Sequence, residues 1–464
     1  MRETHHKALV LTIIVSLGVG LHFTFRGLAG ELPRMFPHLT REKPKEVVIP
    51  IALQSNPVLS PIEAPDREIA PGRLSRLAQG HSQSRRLIHS SPIPVLHKSG
   101  MDRSGADGSG DPFSIPAELE PIVGFWQKIY AVYDSHHVIF HDLEDLSIEY
   151  SVLDFTNLDA RSISDAQKSS IRQEEVSREM DRIRETLNDA RSKERVRSQT
   201  GLKDRFAEGL KHSSRYIPLF EEIFESYGIP KQIAYLPFVE SLFREKAYSK
   251  VGAGGLWQFM PSTASRFIAV NRYVDERYDP ILATHAAARL LLHNFQVLGT
   301  WPLAINAYNS GTGNLQQAIN RLGTKDITKI ITRYKEGSYA FASRNFYPSF
   351  LAVKSVYQNY ERFFGGLRRE PLMQFDLVQL PATLSFAEIA EFSNTTVGEI
   401  RALNPAFSSS VFEGNFSMPM GSQIRVPVGK QTTFLARYEA GQLLHLPQGT
   451  NIVQRDRQSP NSVH

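Results

Sequence analysis

Glu240 is the residue whose type and setting most suggest chemistry. It closes an apolar run (Ile233, Leu236, Phe238, Val239) that Pro230 opens, so its carboxyl group is placed to lie against a core. Desolvation disfavours the charged form and keeps a carboxylic acid protonated near neutral pH, the state a general acid needs. On position alone, an ordinary acid at a helix terminus is the competing reading. Ser241 follows and could donate a hydrogen bond to that carboxylate or simply cap the helix. Gly252-Ala253-Gly254-Gly255 lets a backbone approach a ligand closely, and Leu256-Trp257-Gln258 sets a stacking ring beside an amide. Rings and amides suit a sugar carrying N-acetyl groups, and equally suit a core tryptophan and a turn. His137 and His141 stand four apart, with His136, Asp142 and Glu144 nearby, a spacing that could chelate a metal on a helix. The zincin pattern needs Glu directly after the first His, and Val138 occupies that place, so no metal and no cofactor is expected. Gly311-Thr312-Gly313 has no strand before it and reads as a helix-ending turn rather than a phosphate loop.

The elements that must position these residues are helical. Ile217, Phe220, Ile223 and Phe224 form an apolar face ending at Gly228, and Pro230 opens the next helix. Asp279-Pro280 is a cap followed by a first-turn proline, and Leu291, Phe295 and Leu298 continue one face to Gly299. Trp301 to Tyr308 is a short helix ending in Asn309-Ser310-Gly311. Alternating strand patterns are lacking between 205 and 366, so this region is expected to be all-α. Upstream, order is expected to begin near Pro116. A charged stretch from Ser164 to Ser198 carries Ile171, Val176, Met180, Ile183 and Leu187 as one apolar stripe, predicting a solvated helix docked by that stripe.

Taken in order, Glu240-Ser241, then Gly255-Leu256-Trp257-Gln258-Phe259-Met260-Pro261-Ser262-Thr263-Ala264, then Ala307-Tyr308-Asn309-Ser310-Gly311 resemble three successive motifs of the lytic murein transglycosylases. The resemblance is to the soluble, goose-type-lysozyme-like type, and among these most to the membrane-bound type D. Arg215-Tyr216-Ile217-Pro218 and Ala234-Tyr235-Leu236-Pro237-Phe238-Val239 fit the same family. It implies a lysozyme-like helical catalytic domain that cleaves the MurNAc-β-1,4-GlcNAc bond of peptidoglycan and leaves a 1,6-anhydro ring. In the implied scheme Glu240 is the acid and then the base, Ser241 orients it, Gln258 and Asn309 hold sugar amides or hydroxyls, and Tyr308 lines the cleft. Glu245, Asp275 and Asp279 stay available as second carboxylates. The family's late-helix tyrosine is displaced by one residue in Asn345-Phe346-Tyr347-Pro348. If Pro348 lies in the first turn of that helix, Tyr347 faces the sugar. A water-using muramidase and a silent wall-binding scaffold are the alternative readings.

The whole chain has 464 residues, a net charge of +5, 41% hydrophobic and 22% charged residues and no cysteine, enough apolar content for several folded domains and none of the thiol for disulfides or thiolate chemistry. Lys+Arg 53 against Asp+Glu 48 is too small an excess to argue for nucleic acid. Arg2 and Lys7 precede an apolar stretch from Ala8 to Phe25, and Gly27-Leu28-Ala29 offers small residues for cleavage, so residues 1–29 read as a signal peptide or signal anchor. That places the rest outside the cytoplasm, in the periplasm or cell envelope, with membrane association possible through this segment. Residues 30–115, rich in Pro, Ser and Gly, read as a tether, and 116–204 as a helical extension of the catalytic domain at 205–366. Residues 375–428 show a β-α-α-β order, and Leu403-Asn404-Pro405 and Ile424-Arg425-Val426-Pro427 resemble a LysM glycan-binding module, leaving 429–464 as a polar tail. The expected fold class is mainly α with that small module, and the expected partner is the peptidoglycan glycan strand.

Overall fold

The computed structural model describes residues 111–413 and 416–444; the expected signal segment, most of the tether and the end of the tail lie outside the described residues. The described chain forms two compact units that divide between Met373 and Gln374.

In the first unit, α1 (Glu120–Ala131) leads into an antiparallel sheet of β1 (His137–Asp142), β2 (Glu149–Asp154) and β3 (Val196–Thr200), ordered β2-β1-β3. Val138 stands opposite Leu153 on one side and Thr200 on the other. This sheet corrects the wholly helical expectation for 116–204. Val138, Ile139 and Phe140 are all buried, and a short run buried on both faces has no period that separates strand from helix. Between β2 and β3 lies α2 (Asp165–Thr186), the helix that the stripe predicted. Ser164 accepts from the Gln167 N–H and the Gln167 side chain returns to the Ser164 N–H, closing a capping box. Ile183 joins a buried cluster with Val138, Phe140 and Val196, and Ile171, Val176, Met180 and Leu187 pack around it, so the stripe lands on the sheet.

Next come α3 (Lys203–Ser213), α4 (Ile217–Ser226), a 3-10 turn at Lys231–Tyr235, α5 (Leu236–Glu240), α6 (Pro280–Leu298), α7 (Trp301–Ser310), α8 (Thr312–Leu322) and α9 (Phe341–Gln358), with no named strand among them. The punctuation works as its residue types require. Asp279 accepts from the N–H groups of Ile281 and Leu282, both at 3.0 Å, and Gly299 ends α6 at φ 90°. α1 packs along α9, so the extension and the catalytic segment share one core instead of forming separate domains. Order also starts earlier than Pro116. Phe113 is fully buried with its ring edge-on to Phe350 at 5.2 Å, and Lys354 holds the Asp111 carboxylate and the Phe113 carbonyl.

The second unit contains β4 (Asp376–Gln379), β5 (Leu384–Ser385), α10 (Phe386–Phe392), α11 (Val397–Leu403), β6 (Ser417–Met418), β7 (Gln423–Val426) and α12 (Lys430–Leu444). β4 pairs antiparallel with β7, and β5 with β6. Asn404 ties the end of α11 to β7, donating to the Arg425 carbonyl at 2.8 Å and accepting from its N–H at 3.1 Å. Helix α12 corrects the expectation of a polar tail from 429. Phe434 is fully buried with its ring edge-on to Phe392 at 5.8 Å, and Gln431 donates to the Leu377 carbonyl. Among the described residues no helix is long and apolar enough to cross a membrane.

Candidate active site

Glu240 ends α5 on a buried helical turn whose Leu236, Phe238 and Val239 are all in the core. Its residue exposure is 7%, and burial alone pushes its carboxyl group from an ordinary 4.5 up to about 8. It is therefore protonated at neutral pH, as a general acid must be. No hydrogen bond reaches the Glu240 carboxyl oxygens among the described residues, and its charge is felt at the phenols of Tyr308 and Tyr130. The chain leaves α5 through Leu242 and Phe243 at φ 53° and 56°, left-handed values that cost about 1–2 kcal/mol for each residue with a Cβ. Both side chains are buried, and that burial holds the turn.

The glycine segment packs against this turn. Ser241 is buried, and its hydroxyl lies 2.9 Å from the Leu256 carbonyl and 3.2 Å from that of Pro237. It fastens the end of α5 to the glycine loop, which corrects the expectation that it donates directly to the Glu240 carboxylate. Gly255 has φ 76°, and a Cβ there would lie 1.8 Å from the Arg277 carbonyl oxygen, so only glycine fits. Arg277 itself is buried, pairs with Asp275, and donates to the carbonyls of Gly252 at 2.7 Å and Phe259 at 3.0 Å, clamping both ends of the loop. Sequence reading passed over Arg277; its one cue is a basic residue among Asp275, Glu276 and Asp279.

Gln258, at φ 47°, donates to the carbonyls of Gly255 at 2.9 Å and Ala247 at 3.3 Å, which leaves its own amide oxygen without a hydrogen bond among the described residues. Trp257 is not a stacking platform. It is fully buried, donates its indole N–H to Thr284 at 2.9 Å and packs among Phe220 and Phe224. Tyr308 is half-buried at the C-terminal end of α7 and donates its hydroxyl to the Trp257 carbonyl at 2.9 Å. Burial raises its phenol well above the ordinary value, and the Glu240 charge adds to the rise. Asn309, also half-buried, accepts from the Ser343 hydroxyl at 3.2 Å. Ser241, Gln258 and Tyr308 are thus joined by contacts that run through one loop, and Glu240 directly precedes Ser241 in the chain.

Tyr347 is different. Pro348 sits inside α9 rather than in its first turn, which removes the shift expected to turn Tyr347 toward a sugar. Tyr347 is 1% exposed, its ring stacks on Phe350 at 6.3 Å, and the charge felt at its phenol is that of Asp111, not Glu240. Phe346 is buried as well. The spare carboxylates are structural: Asp279 caps α6, Asp275 pairs with Arg277, and Glu245 accepts from the Tyr216 hydroxyl. The histidines lie on or beside a strand, not a helix. His136 pairs with Asp159, His137 with Asp134, and His141 donates to the Asp142 carbonyl; no group of three metal-ligand types gathers among the described residues.

Residues 218–331, which contain Glu240, the glycine loop and Tyr308, match the Transglycosylase SLT domain. The chain carries a transglycosylase SLT domain. Residues 374–442 match the LysM-like domain of lytic transglycosylase MltD, a span that takes in α12. Membrane-bound lytic murein transglycosylase D of Escherichia coli K12 is 27% identical over 188 residues, 39% of this chain and 40% of that relative, so the match spans under half of either protein. Among solved structures, the 70 kDa soluble lytic transglycosylase of Escherichia coli is 24% identical over 31% of this chain and 24% of its own, with a TM-score of 0.27. A complex of the 70-kDa soluble lytic transglycosylase with bulgecin A is 24% identical over 34% of this chain and 26% of that one, with a TM-score of 0.26.

Proposed function

We propose that this chain is a peptidoglycan lytic transglycosylase of the cell envelope, in which Glu240 alone serves as acid and then base. The observation that carries the reading is the Glu240 carboxyl group, held neutral at pH 7 by burial inside an SLT domain. Most glycosidases need two carboxylates across the scissile bond. When the substrate supplies the nucleophile, one suffices. Protonated Glu240 gives its proton to the leaving oxygen of the MurNAc-β-1,4-GlcNAc bond while the 2-acetamido group supports the anomeric cation. The carboxylate then draws the proton from the MurNAc 6-hydroxyl, whose oxygen closes on C1 as the 1,6-anhydro ring, so the proton balance returns to its start. The free amide oxygen of Gln258, the Asn309 amide and the half-buried Tyr308 supply the contacts expected to hold the sugars.

The LysM-like unit is assigned to holding glycan strands, and residues 1–29 to export and possible membrane attachment. The test is digestion of purified sacculi followed by mass analysis. Fragments ending in anhydro-MurNAc support the reading; borohydride-reducible ends as the main product make the chain a muramidase, and no release at all makes it a wall-binding protein.

A further inference from the structure

A cavity of about 110 Å³ lies where the extension meets the helix Ile327–Arg333 and the start of α9. Ile331 excepted, its lining lies outside the matched SLT segment. One wall is apolar, made by Ile122 of α1, Leu143 and Leu146 from the turn between β1 and β2, and Ile331. The other carries Glu144, Lys335 and Arg344. Lys335 holds the Glu144 carboxylate at 2.9 Å, and Arg195 pairs with Asp142 at 2.7 Å. Arg344 is half-buried, and its guanidinium makes no hydrogen bond or ion pair among the described residues, so its charge is left over. Taking a charge out of water costs free energy unless a partner replaces the water, and burial already works against this guanidinium, with Glu144 outside ion-pair distance. The polar groups still free to bind are donors: the Arg344 N–H groups and the remaining Lys335 protons. Asn345 is committed, accepting from the Trp126 indole and donating to the Phe341 carbonyl, both at 2.9 Å, and Thr332 donates to the Thr328 carbonyl at 2.8 Å. An occupant must therefore accept hydrogen bonds, carry negative charge and show a small apolar part to the opposite wall.

We propose that this cavity is a subsite for a carboxylate on a short aliphatic stem, gripped by the Arg344 guanidinium with Lys335 as second donor and with the stem against Ile122, Leu146 and Ile331. The planar fork of an arginine matches the two oxygens of a carboxylate, and a bare phosphate would leave the apolar wall unused. The size agrees, since a cavity of about 150 Å³ holds a guest as large as benzene. Two sources carry this chemistry. One is the peptide stem of a peptidoglycan strand, an assignment that rests on the function proposed above; the other is a free small carboxylate. The strand is favoured by position: Ser343, one residue before Arg344, donates to Asn309 at 3.2 Å, so the cavity and the proposed sugar contacts share one stretch of α9.

The test is calorimetric titration of the full chain with N-acetylalanine, with its amide, and with a MurNAc-tripeptide. The acid should bind and the amide should not. Arg344→Gln should weaken binding of the acid about tenfold, the loss of a charge-assisted hydrogen-bond pair. Glu144→Gln removes a nearby negative charge and releases Lys335, so it should tighten binding several-fold. Opposite signs in the two variants are the signature of an anion in this cavity. Equal binding of acid and amide, or wild-type binding in Arg344→Gln, overturns the proposal, and so does a lowered thermal midpoint in Arg344→Gln with binding unchanged, which would make the arginine structural. Glu144→Gln keeps the proposal open to refutation even if Arg344→Gln folds poorly, because weaker or equal binding there also overturns it. Tighter binding of the MurNAc-tripeptide than of N-acetylalanine supports the strand as the source, and Arg344→Gln should then raise KM for soluble peptide-bearing strands with kcat intact and change neither for strands stripped of peptide. Equal binding of the two acids supports the free carboxylate. If wild-type protein releases nothing from sacculi, the functional reading fails on its own, while N-acetylalanine still decides whether the subsite exists.

Discussion

Replacing Glu240 by Gln should make the protein more stable, increasingly so as pH rises. The native carboxyl group titrates at about 8 against an ordinary 4.5. Between those values the folded chain holds a proton that the unfolded chain has released, so wild-type stability falls as pH climbs through the window. At 1.36 kcal/mol per unit, the gap of about 3.5 units corresponds to a penalty of about 5 kcal/mol above pH 8 and about 3 kcal/mol at pH 7, vanishing below pH 4.5. These are ceilings, because the site relaxes and admits water around a buried charge. Gln keeps the shape and never ionises, so it escapes the penalty. Urea unfolding of both proteins at about pH 5, 7 and 9 should give stabilities that converge at the lowest pH and separate by several kcal/mol at the highest. A constant difference across that range would mean that Glu240 is not the desolvated acid described here.

The same titration should govern catalysis: kcat/KM is expected to hold at neutral pH and fall with unit slope above about pH 8, as measured by sacculus turbidity, and a rate that climbs through that limb would contradict an acid role. Gly255→Ala places a Cβ 1.8 Å from the Arg277 carbonyl at a left-handed φ, so loss of about 3 kcal/mol or more together with loss of lysis is expected by calorimetry and turbidity. Thr284→Val leaves the Trp257 indole N–H unpaired in the core, and denaturant unfolding should register a cost of about 1–3 kcal/mol. Removing residues 374–464, which carry the described part of the second unit including α12, should weaken sacculus pull-down while cleavage of short soluble glycans persists; parallel loss of both would tie that unit to catalysis.

What could be read from the sequence alone was what short stretches of chain decide for themselves. The capping box at Ser164, the Asp279-Pro280 start and Gly299 stop of α6, and the stripe of α2 rest on contacts within one or two turns, and residue type is enough to announce them. The motif positions Glu240, Gln258, Tyr308 and Asn309 were legible for the same reason, since each motif is contiguous. Tertiary structure decided everything that depends on distant partners. The sheet joins β1 to β3 across the whole of α2, and its buried run carries no period of its own. Whether Trp257 met sugar or core turned on Thr284, Phe220 and Phe224, and whether Ser241 met a carboxylate or a carbonyl turned on where the loop at Leu256 returned. Tyr347 faced away because Pro348 fell inside a helix whose start no local signal marked. Burial is the property that gives Glu240 its chemistry, and it is a sum over neighbours from many segments, so the sequence could nominate the acid but only the packed fold could set its pKa.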